Sequence, residues 1–409
     1  MKFSELPIKP QILDAVHALG FETMTSIQEQ CIPMVLEGRD VVGQSSTGSG
    51  KTAAFGLPML DKIHRTKGLQ ALVLTPTREL CVQVTDALRD YAKLLHLTIS
   101  SVYGGVGYGP QEEAMHRSEI IVGTPGRVLD HLQRGTLKLD NVTFFVLDEA
   151  DKMFEMGFIE SVDEIMTHLP AERQNLLFSA TMPGPIVDIV NKFLRDPIYM
   201  QGTLYVDRGL LKQQYYVVHT REKFSLLGHL LQSKTEGLSL VFCATRQETD
   251  IVARNLKQNG FRAMAIHGGQ GQGKRLHALD ALRNERISIL VATDVAARGL
   301  DVKNVTSVFN YDVPKSPEDY IHRIGRTARA GEAGSAVTLL AERDFDNFSR
   351  ILRDHSIEIT EEPVPNFPQL RFSRFQDQGR GEGRRGFQSH GRAGRYGDRQ
   401  GHGGGGRRY

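Results

Sequence analysis

Val41-Val42-Gly43-Gln44-Ser45-Ser46-Thr47-Gly48-Ser49-Gly50-Lys51-Thr52 runs from a short apolar stretch through a loop of glycine and hydroxyl residues into Gly-Lys-Thr. The apolar stretch predicts a buried strand, and the residues after Lys51 predict a helix. Small residues between the two let successive backbone N–H groups turn inward around phosphate oxygens at a helix N-terminus. Lys51 is then placed to reach β- and γ-phosphates, and the Thr52 hydroxyl to hold Mg²⁺. The strict pattern has Gly at the first loop position, where this chain has Ser45, a small residue that still carries a Cβ.

Outward from this loop, apolar runs alternate with amphipathic stretches, the mark of α/β units around parallel sheets. Strands are expected at 40–43, 71–74, 99–103, 120–123, 144–147 and 176–178, then at 216–219, 238–242, 263–266, 289–292, 307–310 and 336–340. Several are apolar at consecutive positions, as in strands covered on both faces. Residues 201–211 are polar and glycine-bearing and read as a short linker. The expected fold is therefore α/β, with two similarly sized parallel-sheet domains at 1–205 and 212–363 and a tail at 364–409. There is no short-period repeat; whether one half copies the other in architecture is left open. Asp148 and Glu149 directly follow the apolar run 144–147, which puts them at the carboxyl edge of a sheet, where ligands bind in open α/β folds. There Asp148 is placed to hold Mg²⁺ through water, and Glu149 to orient and deprotonate an attacking water.

The chain has 409 residues, 40% apolar and 24% charged, enough for two buried cores. No apolar run approaches the roughly 18 residues of a membrane span. Met1-Lys2-Phe3-Ser4-Glu5 lacks a signal-peptide core, so a cytoplasmic protein with no membrane partner is expected. Cys31, Cys81 and Cys243 are too few and too scattered for a disulfide framework or a cysteine zinc site. The net charge of +2 hides an asymmetry. From Arg371 to Tyr409, ten Arg stand against two Asp and one Glu, a balance of +7 that leaves −5 for the rest. The same stretch holds 12 Gly, with Phe372, Phe375, Phe387, Tyr396 and Tyr409 interspersed. It is expected to be disordered, because it can bury too little apolar surface to offset its ordering entropy. Arginines among aromatics suit single-stranded nucleic acid; a solubilising leash is the plainer alternative.

Asp148-Glu149-Ala150-Asp151, together with the phosphate loop, resembles the DEAD-box RNA helicase family, and the resemblance runs from about Phe3 to about Leu352. Gly20-Phe21 and Gln28, within 1–29, resemble the family's Q motif. Pro76-Thr77-Arg78-Glu79-Leu80, Gly104-Gly105 and Thr124-Pro125-Gly126-Arg127 resemble its RNA-contacting motifs. Ser179-Ala180-Thr181 resembles the motif that links hydrolysis to unwinding. The two last motifs are matched by Ala292-Thr293-Asp294-Val295-Ala296-Ala297-Arg298-Gly299-Leu300-Asp301 and by His322-Arg323-Ile324-Gly325-Arg326-Thr327-Ala328-Arg329. The chain departs from the family's Pro-Thr-Pro before Ile-Gln, carrying Met24-Thr25-Ser26 there.

The resemblance implies two tandem RecA-like domains, with ATP and Mg²⁺ as cofactors and RNA as partner. Its catalytic residues here are Lys51, Asp148, Glu149, Arg326 and Arg329; the two arginines reach across a cleft to the γ-phosphate. If the chain from Pro317 is helical, those arginines share one face. Ser45, Ser46, Thr47, Gly48, Ser49 and Gly50 cradle phosphates, Thr52 and Asp148 hold the metal, and Asp301 contacts ribose. The Gln28 amide donates and accepts, matching adenine N6 and N7. Phe21 is either an adenine platform or a core residue anchoring the first helix. RNA contacts fall to Arg78, Gly105, Thr124 and Arg127, and to Arg246, Gly268, Thr293 and Arg298, reading backbone and 2′-OH rather than base sequence. Ser179, Thr181, His322 and Arg323 couple the two sites, and Asp294 is either a site residue or a structural cap.

Neither domain holds a complete set, so ATP and RNA should each favour the closed arrangement and hydrolysis should favour reopening. Duplex stacking of roughly 1.4 kcal/mol per step makes about six steps cost at least roughly 8 kcal/mol, within reach of one closure. The expectation is an RNA-dependent ATPase that separates short duplexes locally or remodels RNA–protein complexes. Its core is expected to be monomeric and its tail to tether RNA. An ATP-dependent RNA clamp and a DNA translocase are the competing readings.

Overall fold

Each central strand divides its side chains between two cores. In the computed structural model, which describes residues 1–45, 48–65, 68–202, 210–233, 237–297, 305–328, 333–354 and 357–374, Val41, Val73, Val122, Val146 and Phe178 are buried on one face of a sheet. Val42, Leu72, Ile121, Phe145 and Leu177 are buried on the other. A sheet covered on both faces needs apolar residues at successive positions, which is why these strands read as continuous apolar runs.

The first sheet contains β1 (Val41–Gln44), β2 (Ala71–Leu74), β3 (Ile99–Val102), β4 (Ile120–Gly123), β5 (Phe144–Asp148), β6 (Gln174–Ser179) and β7 (Ile198–Gln201). Their order is β3-β4-β2-β5-β6-β1-β7, with every pairing parallel. The second contains β8 (Leu211–Val217), β9 (Leu238–Phe242), β10 (Ala263–Ile266), β11 (Ile289–Ala292), β12 (Val305–Asn310), β13 (Gly334–Leu340) and β14 (Thr360–Glu361). Their order, β10-β11-β9-β12-β13-β8-β14, is also parallel throughout and is the first order with every strand advanced by seven. The two halves are architectural copies, and together they form the tandem RecA-like pair.

The edges differ from expectation. β7 and β14 are edge strands, half-buried and exposed respectively, and lack the apolar runs that mark central strands. β8 begins at Leu211 rather than near 216, because Lys212, Gln213 and Gln214 disguise a strand buried at only some positions. β7 and β8 thus absorb both ends of the expected linker, whose middle, 203–209, lies outside the described residues.

The compact unit runs to Phe372, beyond the expected boundary at 363. Residues past that boundary lie on the second domain. The Leu370 N–H donates to Ser225 Oγ (3.0 Å), Asn259 Nδ2 donates to the Arg371 carbonyl (2.9 Å), and Phe372 packs on Phe224 with centroids 4.9 Å apart. The remaining unit is Ser373–Tyr409, and the expectation of disorder there falls on 375–409, outside the described residues. Among the described residues no helix is long and apolar enough to cross a membrane.

Strand order divides the carboxyl edge of the first sheet. The neighbours β5, β6 and β1 carry Asp148, Ser179 and the phosphate loop; the neighbours β3, β4 and β2 lead to Gly104-Gly105, Thr124 and Thr77-Arg78.

Candidate active site

Beyond β1 the loop turns through Gly48 and Gly50, at φ +83° and +92°, into the helix Lys51–Lys62. A Cβ on Gly50 would collide with Gln28 Nε2, so glycine serves both the left-handed turn and the close approach. Lys51 is buried, and its Nζ donates to the Ser45 carbonyl at 3.2 Å. The Ser45 and Ser49 hydroxyls are 2.9 Å apart, and the Ser45 N–H donates to the Ser179 carbonyl at 3.0 Å. The Ser45 hydroxyl thus braces the loop internally against Ser49, while its backbone N–H ties the loop to β6. Ser46 and Thr47 lie outside the described residues.

Gln28 has its amide engaged within the protein. Its Oε1 accepts from the Thr25 N–H (2.8 Å) and its Nε2 donates to the Gly50 carbonyl (3.1 Å). Thr25 and Gln28 form a capping box on the helix Ser26–Leu36, which the Thr-x-x-Gln spacing encodes. Phe21 packs between Phe3 and Tyr91, at 6.2 and 6.4 Å between centroids, against the first core.

At the end of β5, Glu149 takes φ +54° and turns the chain into the helix Ala150–Glu155. A left-handed non-glycine residue is strained, a feature that clusters at functional sites. Asp148 and Glu149 are both buried. Burial pushes the Asp148 carboxyl up to about 7, against the opposing pull of Lys51. Asp148 Oδ1 has no hydrogen-bond partner among the described residues. A buried carboxylate oxygen without a donor fits a site completed by a cation or its water, and Thr52, in the first turn of the helix Lys51–Lys62, carries a hydroxyl of the kind Mg²⁺ accepts as ligand.

Asp151 behaves differently. Burial works to raise its carboxyl, yet Lys152, Lys51, His322 and the Thr181 N–H together hold it below the usual carboxylate range. Its Oδ2 accepts from the N–H groups of Ala180 (3.2 Å) and Thr181 (3.1 Å) and from the Thr181 hydroxyl (3.2 Å). The Asp151 N–H donates to Ser179 Oγ at 3.1 Å. Because β6 lies between β5 and β1, Ser179 touches both the acidic turn and the phosphate loop.

In the second domain, Ser316 caps the helix Pro317–Ile324, which stops at Gly325. Arg326 therefore lies beyond the helix, and Arg329, with which a shared helical face was expected, lies outside the described residues. Glycine at the C-cap ends the helix, and Ala328 at φ +53° turns the chain away. Arg326 lines a small cleft with His322, Arg323, Asp294 and Asp319. Arg323 is a buried strut, bidentate to Asp294 (2.5 and 2.8 Å) and bonded to Asn310 Oδ1 (3.1 Å) and the Asp312 carbonyl (2.6 Å). Asp294 thus opens its short helix and is also Arg323's partner. Arg298, Asp301 and Arg329 lie outside the described residues.

The domains meet through pairings that the sequence did not show, although His322 was expected to couple the two sites and Glu79 lies in a quoted motif. Lys152 Nζ donates to His322 Nδ1 at 2.8 Å. Glu79, 2% exposed, accepts from Gln272 Nε2 (3.1 Å) and pairs with Arg275 (2.8 Å). The available signal was Gln-x-x-Arg in the helix Gln272–Arg283, a spacing that puts both side chains on one face.

The candidate RNA residues form a duplicated device. Thr77 caps the helix Arg78–Tyr91 and Thr245 caps Arg246–Gln258, each hydroxyl accepting an N–H two residues into the helix beyond its first arginine. Each arginine leans on a double glycine. A Cβ on Gly104 would stand 3.3 Å from Arg78 Nη2, and one on Gly105 (φ +85°) would strike the same guanidinium; a Cβ on Gly268 would stand 3.5 Å from Arg246 Nη2. Thr124 and Thr293 stand at corresponding helix starts, at the ends of β4 and β11.

A phosphate loop and paired carboxylates on one sheet, joined to basic residues on a copy of that sheet, define a two-domain nucleoside triphosphatase that acts on nucleic acid. Residues 25–189 match the DEAD/DEAH box helicase family model, and 222–331 match that of the helicase conserved C-terminal domain. The chain is 46% identical over 356 residues to an ATP-dependent RNA helicase CshA of Listeria monocytogenes, covering 86% of this chain and 68% of that one. It is 45% identical over 354 residues to a DEAD-box ATP-dependent RNA helicase CshA of Geobacillus kaustophilus, covering 86% and 76%. A leucine-to-valine point variant of S. cerevisiae Dbp5 bound to RNA and ADP BeF3 superposes with a TM-score of 0.82 at 32% identity, covering 89% of this chain and 96% of that one. The chain belongs to the DEAD-box ATP-dependent RNA helicases, and it is an RNA-dependent ATPase.

Proposed function

We propose that this helicase assembles its ATPase site across two domains and that RNA completes the assembly. The observation that carries the reading is the pair of bridges between domains. Lys152–His322 ties the acidic turn to the helix before Arg326, and Glu79–Arg275 ties the Arg78 helix to the second domain. One closure therefore serves both ligands, so each raises affinity for the other.

Within that closed site, Lys51 exchanges the Ser45 carbonyl for β- and γ-phosphate oxygens. Glu149 orients the attacking water and takes its proton, while Arg326 and Arg329 offset charge on the γ-phosphoryl oxygens. Thr52, and Asp148 through water, would hold Mg²⁺, which would supply positive charge against the phosphates. Asp151 relays the state of the acidic turn to Ser179 and Thr181. Gln28 exchanges its internal partners for the adenine edge, Phe21 supports it, and Asp301 contacts ribose. RNA backbone lies along Arg78, Gly105, Thr124, Arg127, Arg246, Gly268, Thr293 and Arg298, spread over domains 1–205 and 212–363. The core works as a cytoplasmic monomer on short duplexes or RNA–protein complexes.

The bridge is tested by a double-mutant cycle on RNA–ATP coupling. Glu79→Gln and Arg275→Met each lower the factor by which RNA tightens ATP binding, about fivefold to tenfold, because each leaves a buried charge unpaired; the double variant is no worse than either. Unchanged coupling in both single variants contradicts the reading.

The Arg/Gly tail tethers RNA to the core. Deleting 375–409 weakens RNA binding and flattens its salt dependence, by roughly 0.7 in slope for each single-strand phosphate that the tail no longer neutralises. Binding titrations at several salt concentrations check this, and an unchanged slope makes the tail a leash.

A further inference from the structure

Tyr108, which no motif of the sequence includes, carries two arginines. The guanidinium carbons of Arg127 and Arg134 lie 4.2 and 4.1 Å from its ring centroid. Its hydroxyl donates a short bond to Asp130 Oδ2, and its ring meets buried His131 edge-on at 5.5 Å. Asp130 lies 3.8 Å from Arg127, and Glu112 lies 3.9 Å from Arg134. The two positive charges are thus matched by two carboxylates.

The Arg127 side chain is only 10% exposed, and its Nη1 donates to the Val106 carbonyl at 3.2 Å. A guanidinium held in this way braces the loop 104–107. That loop carries Gly105, whose left-handed backbone packs on Arg78. A continuous set of contacts therefore runs from Tyr108 through Arg127 and Val106 to Gly105 and Arg78.

We propose that Tyr108 is a positioning residue for RNA binding: its ring fixes Arg127, and Arg127 fixes the glycine loop in the shape that meets a ribose-phosphate strand. This rests on the reading that Gly105 and Arg127 belong to the RNA surface. Cation–π contacts are individually modest, so the effect is one of affinity.

The test is RNA-stimulated ATPase of the full chain, titrated with single-stranded oligouridylate. Tyr108→Leu raises the half-saturating RNA concentration about fivefold to tenfold and keeps the rate at saturating RNA within about twofold. Tyr108→Phe, which retains the ring, restores most of the affinity. A variant harmed only in folding would instead lose maximal rate. Arg127→Ala weakens RNA at least as much as Tyr108→Leu, and combining the two adds little. If Arg127→Ala weakens RNA while Tyr108→Leu does not, the positioning role is overturned and the RNA surface survives. If neither variant weakens RNA, the surface reading fails as well. Additive losses would make Tyr108 a direct RNA contact and overturn positioning.

Discussion

Glu149→Gln lowers RNA-stimulated ATP turnover by roughly a hundredfold to ten-thousandfold and leaves ATP and RNA binding close to the parent. Glutamine keeps the volume and hydrogen-bonding reach of the side chain and tolerates the same backbone, so the strained turn at φ +54° is preserved. What it cannot do is accept a proton from water. Asp148, one residue earlier, remains to hold the metal, and Lys51 remains to hold phosphate, so binding persists while chemistry stops. Single-turnover hydrolysis with saturating RNA, alongside equilibrium binding of a fluorescent ATP analogue, separates the two. Turnover near the parent's would remove Glu149 as base.

Arg326→Ala is expected to be comparably severe, on the order of a thousandfold in RNA-stimulated turnover, the scale on which arginine fingers act. Its expected signature differs. The variant leaves the first domain's nucleotide-holding groups intact, so ATP affinity without RNA stays within about threefold, while the rate with saturating RNA collapses. Arg326 is 4% exposed in the cleft beside His322, so its charge sits where water screens it little. Arg326→Lys restores little, because an ammonium cannot reproduce the planar fork toward phosphate oxygens. Normal stimulation by RNA in Arg326→Ala would remove it from the site.

The sequence revealed the centre of this molecule more fully than its edges. Central strands such as Ala71–Leu74 and Ile120–Gly123 were legible to the residue, because burial on both faces demands unbroken apolar runs. β7 and β14 were hidden, and β8 was legible only at its last residues, because they lie at or next to a sheet edge and mix polar residues in. The phosphate loop and acidic turn were legible because their chemistry is local in sequence. The partners of Glu79 and Lys152 were not, since a contact between domains leaves no local trace; only the Gln272–Arg275 spacing hinted at it. Arg323, read as a coupling residue, and Asp294, read as a site residue or a cap, brace one another, a pairing that only the fold reveals. Gly325, quoted only as part of a motif, proved to be where the helix ends, which places Arg326 in a turn.

The central claim is that RNA completes an ATPase site divided between two domains. Steady-state ATP hydrolysis with no nucleic acid, with single-stranded RNA, and with DNA of the same sequence tests it most directly. The account predicts a low rate alone, strong stimulation by RNA and little by DNA. Equal rates under all three conditions would mean the site is complete without RNA and would contradict it.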